Sequence, residues 1–333
     1  MAVRIVAELS ANHQNDFSIA AKTIRAMAHA GADAIKVQTY RPESLTLNSQ
    51  DGYFAPRKEG LWKGYTPWEL YSIAAMPYEW QPKLQALTEE LGMTFFSSPF
   101  DRHGVDFLES LDCPMYKIAS LEINHLPLIE YVASMGKPVL ISTGAADEHD
   151  IEAALAACRR QGNEDVTLLQ CTSHYPATRG EANLRTIPDM KQRFGVSVGV
   201  SDHTLGACVP AAAVALGAEV VEKHCTLNRS HGGPDAPFSL EPNEFAEMVR
   251  VVRNTEEALG TVSYAVDEKD RVRRRSLFAT QDIARGERFR EDNIAVLRPG
   301  HGIPPRFYHG ILGTQAQEEI KRGTPLRMEH ITL

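Results

Sequence analysis

Val196-Ser197-Val198-Gly199-Val200, leading into Ser201-Asp202-His203-Thr204, and Glu219-Val220-Val221, leading into Glu222-Lys223-His224, are two short β-branched runs that each arrive at a histidine. Between them Ala207–Leu216 is rich in Ala and Val and reads as a crossover helix. Two parallel strands joined by such a helix end at the same edge of a sheet, so His203 and His224 are expected side by side. Paired imidazoles at a strand edge make a metal site. One histidine there is most often a polar residue meeting water. Two in adjacent units, flanked by Asp202, Glu222 and Lys223, turn the balance towards function.

Outward from this pair the same alternation fills the chain to about residue 260. Strands are expected at Val3–Ala7, Ala34–Gln38, Met93–Phe96, Met115–Ile118, Pro138–Ile141 and Val166–Gln170, before the two opening runs. Helices are expected at Phe17–Ala30, Pro67–Leu91 with a break near Pro77, Arg102–Leu111, Leu126–Met135, Glu148–Gln161, Leu184–Phe194 and Pro242–Leu259. A long aromatic loop, Tyr40 to Tyr65, interrupts the pattern. Eight strand-then-helix units of this length predict a (β/α)8 TIM barrel over residues 1–262. An open doubly wound sheet would carry a glycine-rich phosphate loop after its first strand, where this chain has Glu8-Leu9-Ser10-Ala11-Asn12-His13.

Beyond Gly260 the character changes. Residues 263–275 contain the charged run Asp267–Arg275 and read as a solvated linker. Residues 276–333, with short strands and Gly-Glu or Gly-Thr turns, read as a small β-rich domain with little core of its own.

The 333-residue chain has 43 acidic against 35 basic residues, a formal charge of -8. That argues against nucleic acid or an anionic membrane as partner, and an anionic substrate would need a local Lys/Arg pocket. No apolar run approaches the roughly 18 residues of a membrane span. Five cysteines without a CxxC pair, and a first strand entered at once from Met1, fit a reducing cytoplasmic setting.

A barrel's active site is built from the C-terminal ends of its strands. Those ends carry Glu8; Lys36 and Gln38; Ser98; Lys117, Ser120 and Glu122; Ser142; Ser173 and Tyr175; Ser201; and the two histidines. Lys36 and Lys117 among hydroxyls make a donor-rich pocket for phosphate and carboxylate. His203 and His224, with water and substrate oxygens, suit an open site for Mn²⁺ or Mg²⁺ and not a closed structural zinc site. Glu8 and Glu122 are the acid–base candidates. A Schiff-base aldolase using Lys36 or Lys117 is the chemical rival. A carbohydrate- or ice-binding protein is the non-enzymatic one, and it needs no paired histidines.

AELSANH at 7–13, IKVQTY at 35–40, FSSPFD at 96–101, ISTG at 141–144, VSDHT at 200–204, EKH at 222–224 and FSLEP at 238–242 resemble the sialic acid synthase family. Ser276-Leu277-Phe278, Arg298-Pro299-Gly300 and Gly313 resemble its C-terminal SAF, or antifreeze-like, domain. ELSANH, LTLNS at 45–49 and GLW at 60–62 look most like the pseudaminic acid synthase branch, whereas His231-Gly232-Gly233-Pro234-Asp235 looks closer to the sialic or legionaminic branches. The resemblance implies condensation of phosphoenolpyruvate with an N-acetylated amino sugar. It implies metal on His203 and His224, and acid–base work by Glu8. Lys36, Gln38, Ser98, Lys117, Ser120, Ser142, Ser173 and Ser201 would hold phosphoenolpyruvate, and Tyr175 and Asp235 would face the sugar. It further implies a homodimer with exchanged C-terminal domains, in which Arg298 reaches the partner subunit's site.

Overall fold

The computed structural model describes residues 2–172 and 174–332. Residues up to Gly260 and from Thr261 form two compact units. In the first, eight strands close into a parallel barrel in sequence order: β1 (Arg4–Glu8), β2 (Ala34–Thr39), β3 (Thr94–Pro99), β4 (Tyr116–Ile118), β5 (Val139–Ser142), β6 (Val166–Cys171), β7 (Ser197–Asp202) and β8 (Val220–His224). The expected TIM barrel is the observed fold. The strands are almost wholly buried because barrel packing covers one face and the helical ring the other. This is why they read as continuous apolar runs instead of alternating ones.

The helices start where short polar side chains satisfy the first free N–H groups. Asp16 accepts from Ser18 ahead of Phe17–His29, and Asp101 accepts from Gly104 ahead of Arg102–Ser110. Thr66 and Glu69 form a reciprocal capping box at Pro67–Ala74. The break expected near Pro77 is real: Pro67–Ala74 ends, a single 3₁₀ turn Tyr78–Trp80 follows, and Gln81–Glu90 resumes. Among the described residues, no helix is long and apolar enough to cross a membrane.

Both key strands run further than their β-branched cores. β7 continues through Ser201 and Asp202, and β8 through Glu222, Lys223 and His224, all buried. Polar residues continue a strand here because the register Ser201↔Glu222 and Asp202↔Lys223 supplies partners on the neighbouring strand.

In the second unit, Glu268–Arg273 forms a short exposed helix capped by Asp267, within the segment read as a linker. Antiparallel pairs β9 (Ser276–Ala279)/β10 (Ile294–Leu297) and β11 (Gln315–Ala316)/β12 (Ile331–Thr332) follow. They surround a small apolar core that includes Leu277, Phe289, Ile303 and Leu326.

Candidate functional site

Register brings the predicted groups into one layer. Glu8 on β1 lies level with Lys36 on β2 and with His224 on β8. Side chains two apart on a strand share a face, so Lys36 with Gln38, and Glu222 with His224, point inward together. A cavity of about 350 Å³ opens over this layer. Lys36, Gln38, Lys117, Ser120, Glu122, Ser142, Tyr175, Ser201, His203, His224 and Asp235 all line it. Glu8 and Ser98 lie just beneath, fully buried, each in contact with Lys36. Ser173 lies outside the described residues. Arg298 belongs to the second unit, exposed just after β10.

The electrostatic centre is a residue that the strand-end reading passed over. Glu222 Oε1 accepts from Ser201 Oγ at 2.9 Å and from Lys117 Nζ at 3.3 Å, and lies 3.6 Å from Lys36 Nζ. Lys36 Nζ also meets Glu8 Oε2 at 2.7 Å. Two buried carboxylates thus share Lys36, with Lys117 added on the Glu222 side, and their environments drive them apart. Burial raises Glu8 to about 7, with Glu222 adding to the rise and Lys36 opposing it. Burial would raise Glu222 too, but Lys117, Lys36 and the Ser201 hydroxyl outweigh it and hold that carboxyl at about 2. The two lysines therefore favour the charged form of Glu222, while burial favours the protonated form of Glu8. Glu122 is also raised to about 7 by burial, against the pull of Lys117.

The imidazoles sit with ring centroids 5.2 Å apart. Burial lowers His203 to about 4 and takes His224 well below its usual range, so both are neutral at pH 7 and have a lone pair to give. His203 Nδ1 lies 3.1 Å from the Thr172 carbonyl, which leaves Nε2 as the free acceptor. His224 Nδ1 is buried with no hydrogen-bond partner and lies 4.0 Å from Asp235 Oδ2. An orphaned neutral nitrogen beside a carboxylate fits a divalent cation. Among the described residues, no three His, Cys, Asp or Glu gather into a metal-holding group. The residues therefore fit an open site, completed by water and substrate, better than a closed one.

Two further elements complete the mouth. Ser10 Oγ donates to Asp235 Oδ2 at 2.5 Å, which ties the loop after β1 to the loop after β8. Trp62 donates from Nε1 to the Pro234 carbonyl at 3.0 Å, so the long aromatic loop closes over the rim. Trp62, with Arg57 stacked on it at 5.2 Å, lines the cavity. Sequence reading marked GLW as distinctive but gave Trp62 no role, because nothing local says where so long a loop will land.

Beneath the histidines, Lys223 Nζ is wholly buried and donates to Asp202 Oδ2 at 2.5 Å and to the Thr204 carbonyl. Neither charged side chain lines the cavity. They pin β7 to β8 from behind, which fixes the spacing of the two imidazoles.

The barrel gathers a cationic pocket and paired histidines in one cavity, and the chain belongs to the NeuB family, whose model matches residues 23–264. A SAF domain matches residues 274–332. The chain is 43% identical to a pseudaminic acid synthase of Helicobacter pylori, covering 98% of this chain and 97% of the relative. It is 34% identical to an N,N'-diacetyllegionaminic acid synthase of Legionella pneumophila, covering 98% and 94%. Among solved structures it resembles a putative spore coat polysaccharide biosynthesis protein E of Chromobacterium violaceum, with TM-score 0.80, 25% identity and coverage of 99% and 100%.

Proposed function

We propose that the chain is a pseudaminic acid synthase, condensing phosphoenolpyruvate with 2,4-diacetamido-2,4,6-trideoxy-L-altrose to give pseudaminate and phosphate. The observation that carries this reading is one cavity in which two neutral imidazoles face two buried lysines. The identity of 43–44% to pseudaminic acid synthases, against 34% to legionaminic acid synthases, supports that sugar over legionaminate or N-acetylneuraminate precursors.

Lys36 and Lys117, with Ser120, Ser142 and Ser201, bind the phosphate and carboxylate of phosphoenolpyruvate. The Ser142 hydroxyl, buried and without a partner, is a donor waiting for such an acceptor. Ser98 acts by steadying Lys36, 3.5 Å away. Ser173 joins the same anion-binding set. Gln38 belongs to that set as well, and Tyr175 and Asp235 orient the sugar. His203 and His224 would hold a divalent ion, Mn²⁺ or Mg²⁺, which would supply Lewis acidity at the reacting aldehyde. C3 of phosphoenolpyruvate forms the new bond to the aldehyde carbon while a carboxylic acid delivers a proton to the aldehyde oxygen. A carboxylate then takes a proton from the water that adds at C2, and phosphate leaves with C–O cleavage. Glu8 and Glu122, both raised to about 7, are the groups able to hold or release those protons.

The active form in this reading is a homodimer in the cytoplasm, with Arg298 of one SAF domain reaching the other subunit's barrel. Within the second unit the Arg298 loop is well held. Ser276 Oγ donates to the Pro299 carbonyl at 2.7 Å, and Gly300 N–H donates to the Val272 carbonyl at 2.8 Å.

Phosphate release from phosphoenolpyruvate with each of three candidate sugars tests the assignment. Turnover is expected with the 2,4-diacetamido-trideoxy-altrose, abolished by EDTA, restored by Mn²⁺, and lost with weakened metal binding in His203→Ala. Full activity in chelated protein, or turnover of N-acetylmannosamine alone, rejects it.

A further inference from the structure

The cavity has two chemically distinct halves. One is formed by Lys36 on β2, Lys117 on β4, the hydroxyls of Ser120, Ser142 and Ser201, and the histidines at the ends of β7 and β8. In the other, Tyr40 and Phe100, the residues that follow β2 and β3, meet edge to face with ring centroids 5.1 Å apart. Tyr71 adds a third ring, 6.2 Å from Tyr40. Leu70 and Ala74 are the buried face of helix Pro67–Ala74, and all five residues line the cavity. β2 carries Lys36 and Gln38 within the strand, but the residues that directly follow β2 and β3 are rings, and the inserted helix adds an alkyl wall.

In a closed barrel of eight strands, β3 stands opposite β7. An open-chain hexose with its aldehyde at His203 and His224 therefore extends its far carbon towards the aromatic half. We propose that Tyr40, Leu70, Tyr71, Ala74 and Phe100 form a subsite for the terminal carbon of the sugar, which takes a methyl group and disfavours a hydroxymethyl. The inference rests on the assignment of an open-chain amino sugar to this cavity and deepens it by naming the residues that select a 6-deoxy substrate. A methyl buries apolar surface against the rings, whereas a hydroxyl must give up water, and an apolar pocket rejects an added hydroxyl by about 10².

The test compares two sugars identical in configuration and in both acetamido groups, one with a 6-methyl and one with a 6-hydroxymethyl. In the metal-loaded enzyme the 6-methyl sugar is expected to be favoured by about 100-fold in kcat/KM. Ala74→Ser, a small change that brings a hydroxyl to the wall, and Leu70→Ser are each expected to narrow that ratio by roughly tenfold or more. Thermal unfolding and the KM for phosphoenolpyruvate serve as controls, since a general loss of structure lowers both sugars together and leaves the ratio unmoved. A wild-type ratio within roughly threefold of unity overturns the subsite, and means that a tyrosine hydroxyl receives the C6 oxygen. A large ratio unmoved in both folded variants overturns the residue assignment. Failure to turn over either sugar overturns the assigned reaction itself, which separates that failure from failure of the subsite.

Discussion

Glu8 and Glu222 show how one barrel layer assigns opposite duties to identical side chains. Glu222 meets both lysines and a hydroxyl, so it stays charged; Glu8 has Lys36 and otherwise low-dielectric surroundings, so it is poised near neutrality. Glu8→Gln is expected to fold yet lose roughly 10²–10⁴ in turnover, checked by steady-state phosphate release alongside circular dichroism. A rate near wild type would transfer the proton work to Glu122. The same shift has a stability consequence of definite sign. Glu8 titrates above its ordinary 4.5, so its contribution is complete below about pH 4.5 and is lost as pH rises through about 7. Glu222 runs the other way, contributing above about 4.5 and losing that contribution as pH falls through about 2. The metal-free wild type should therefore lose Tm relative to Glu8→Gln between about pH 5 and 8, as Glu8 becomes a buried anion. A Tm difference flat across that range would mean that Lys36 neutralises Glu8 throughout.

At the scale of the element, β7 and β8 do more than display two histidines. A Cβ on Gly199 would stand 2.6 Å from both Leu169 Cδ2 and the Val220 carbonyl oxygen. Only a residue without a side chain lets β7 sit this close to its neighbours. Gly199→Ala is expected to cost about 1–3 kcal/mol by overpacking, at the upper end because backbone is one of the obstacles, and to weaken metal binding by spreading the strands. Isothermal titration with Mn²⁺ and a denaturation curve would show the two losses together; unchanged Mn²⁺ affinity would sever them. The Lys223–Asp202 pair is a second constraint on the same two strands. Lys223→Met leaves Asp202 buried without its cation and is expected to destabilise by about 3–5 kcal/mol, most of it recovered when Asp202→Asn is added.

On the scale of the whole molecule, the two units are built by different means. The barrel has a continuous core running through all eight strands, while the second unit relies on a small cluster and on pinned turns. A Cβ at Gly300 would lie 2.4 Å from the Arg271 carbonyl oxygen, so the loop bearing Arg298 seats directly on the short helix Glu268–Arg273. Residues 1–262 alone are expected to fold and to bind phosphoenolpyruvate, because that pocket comes wholly from strand ends, while turnover collapses. The proposed exchange of C-terminal domains between subunits has its own test. Glu8→Gln and Arg298→Ala, each inactive alone, are mixed and allowed to exchange subunits. One site of the mixed dimer then has both residues intact, so activity returns. If exchange is complete and the mixture stays inactive, Arg298 serves its own chain.

Periodicity, strand-end chemistry and the absence of a glycine-rich first turn determined the barrel, the cationic pocket and the paired histidines from sequence alone. Those features repeat unit by unit, and each strand end declares its chemistry locally. What only the tertiary structure decided concerns partners distant in sequence. Glu222 and Lys223 are neighbours in the chain, yet alternation sends one into the cavity beside Lys36 and Lys117 and the other behind the sheet onto Asp202. No local pattern marks which of two adjacent charges will be which. Glu8 read as a residue at the mouth and lies fully buried, its carboxylate paired with Lys36 of the neighbouring strand. Trp62, Tyr40, Tyr71 and Phe100 come together from a loop, a helix and two strand ends. Their meeting depends on barrel closure, which no single stretch of sequence encodes.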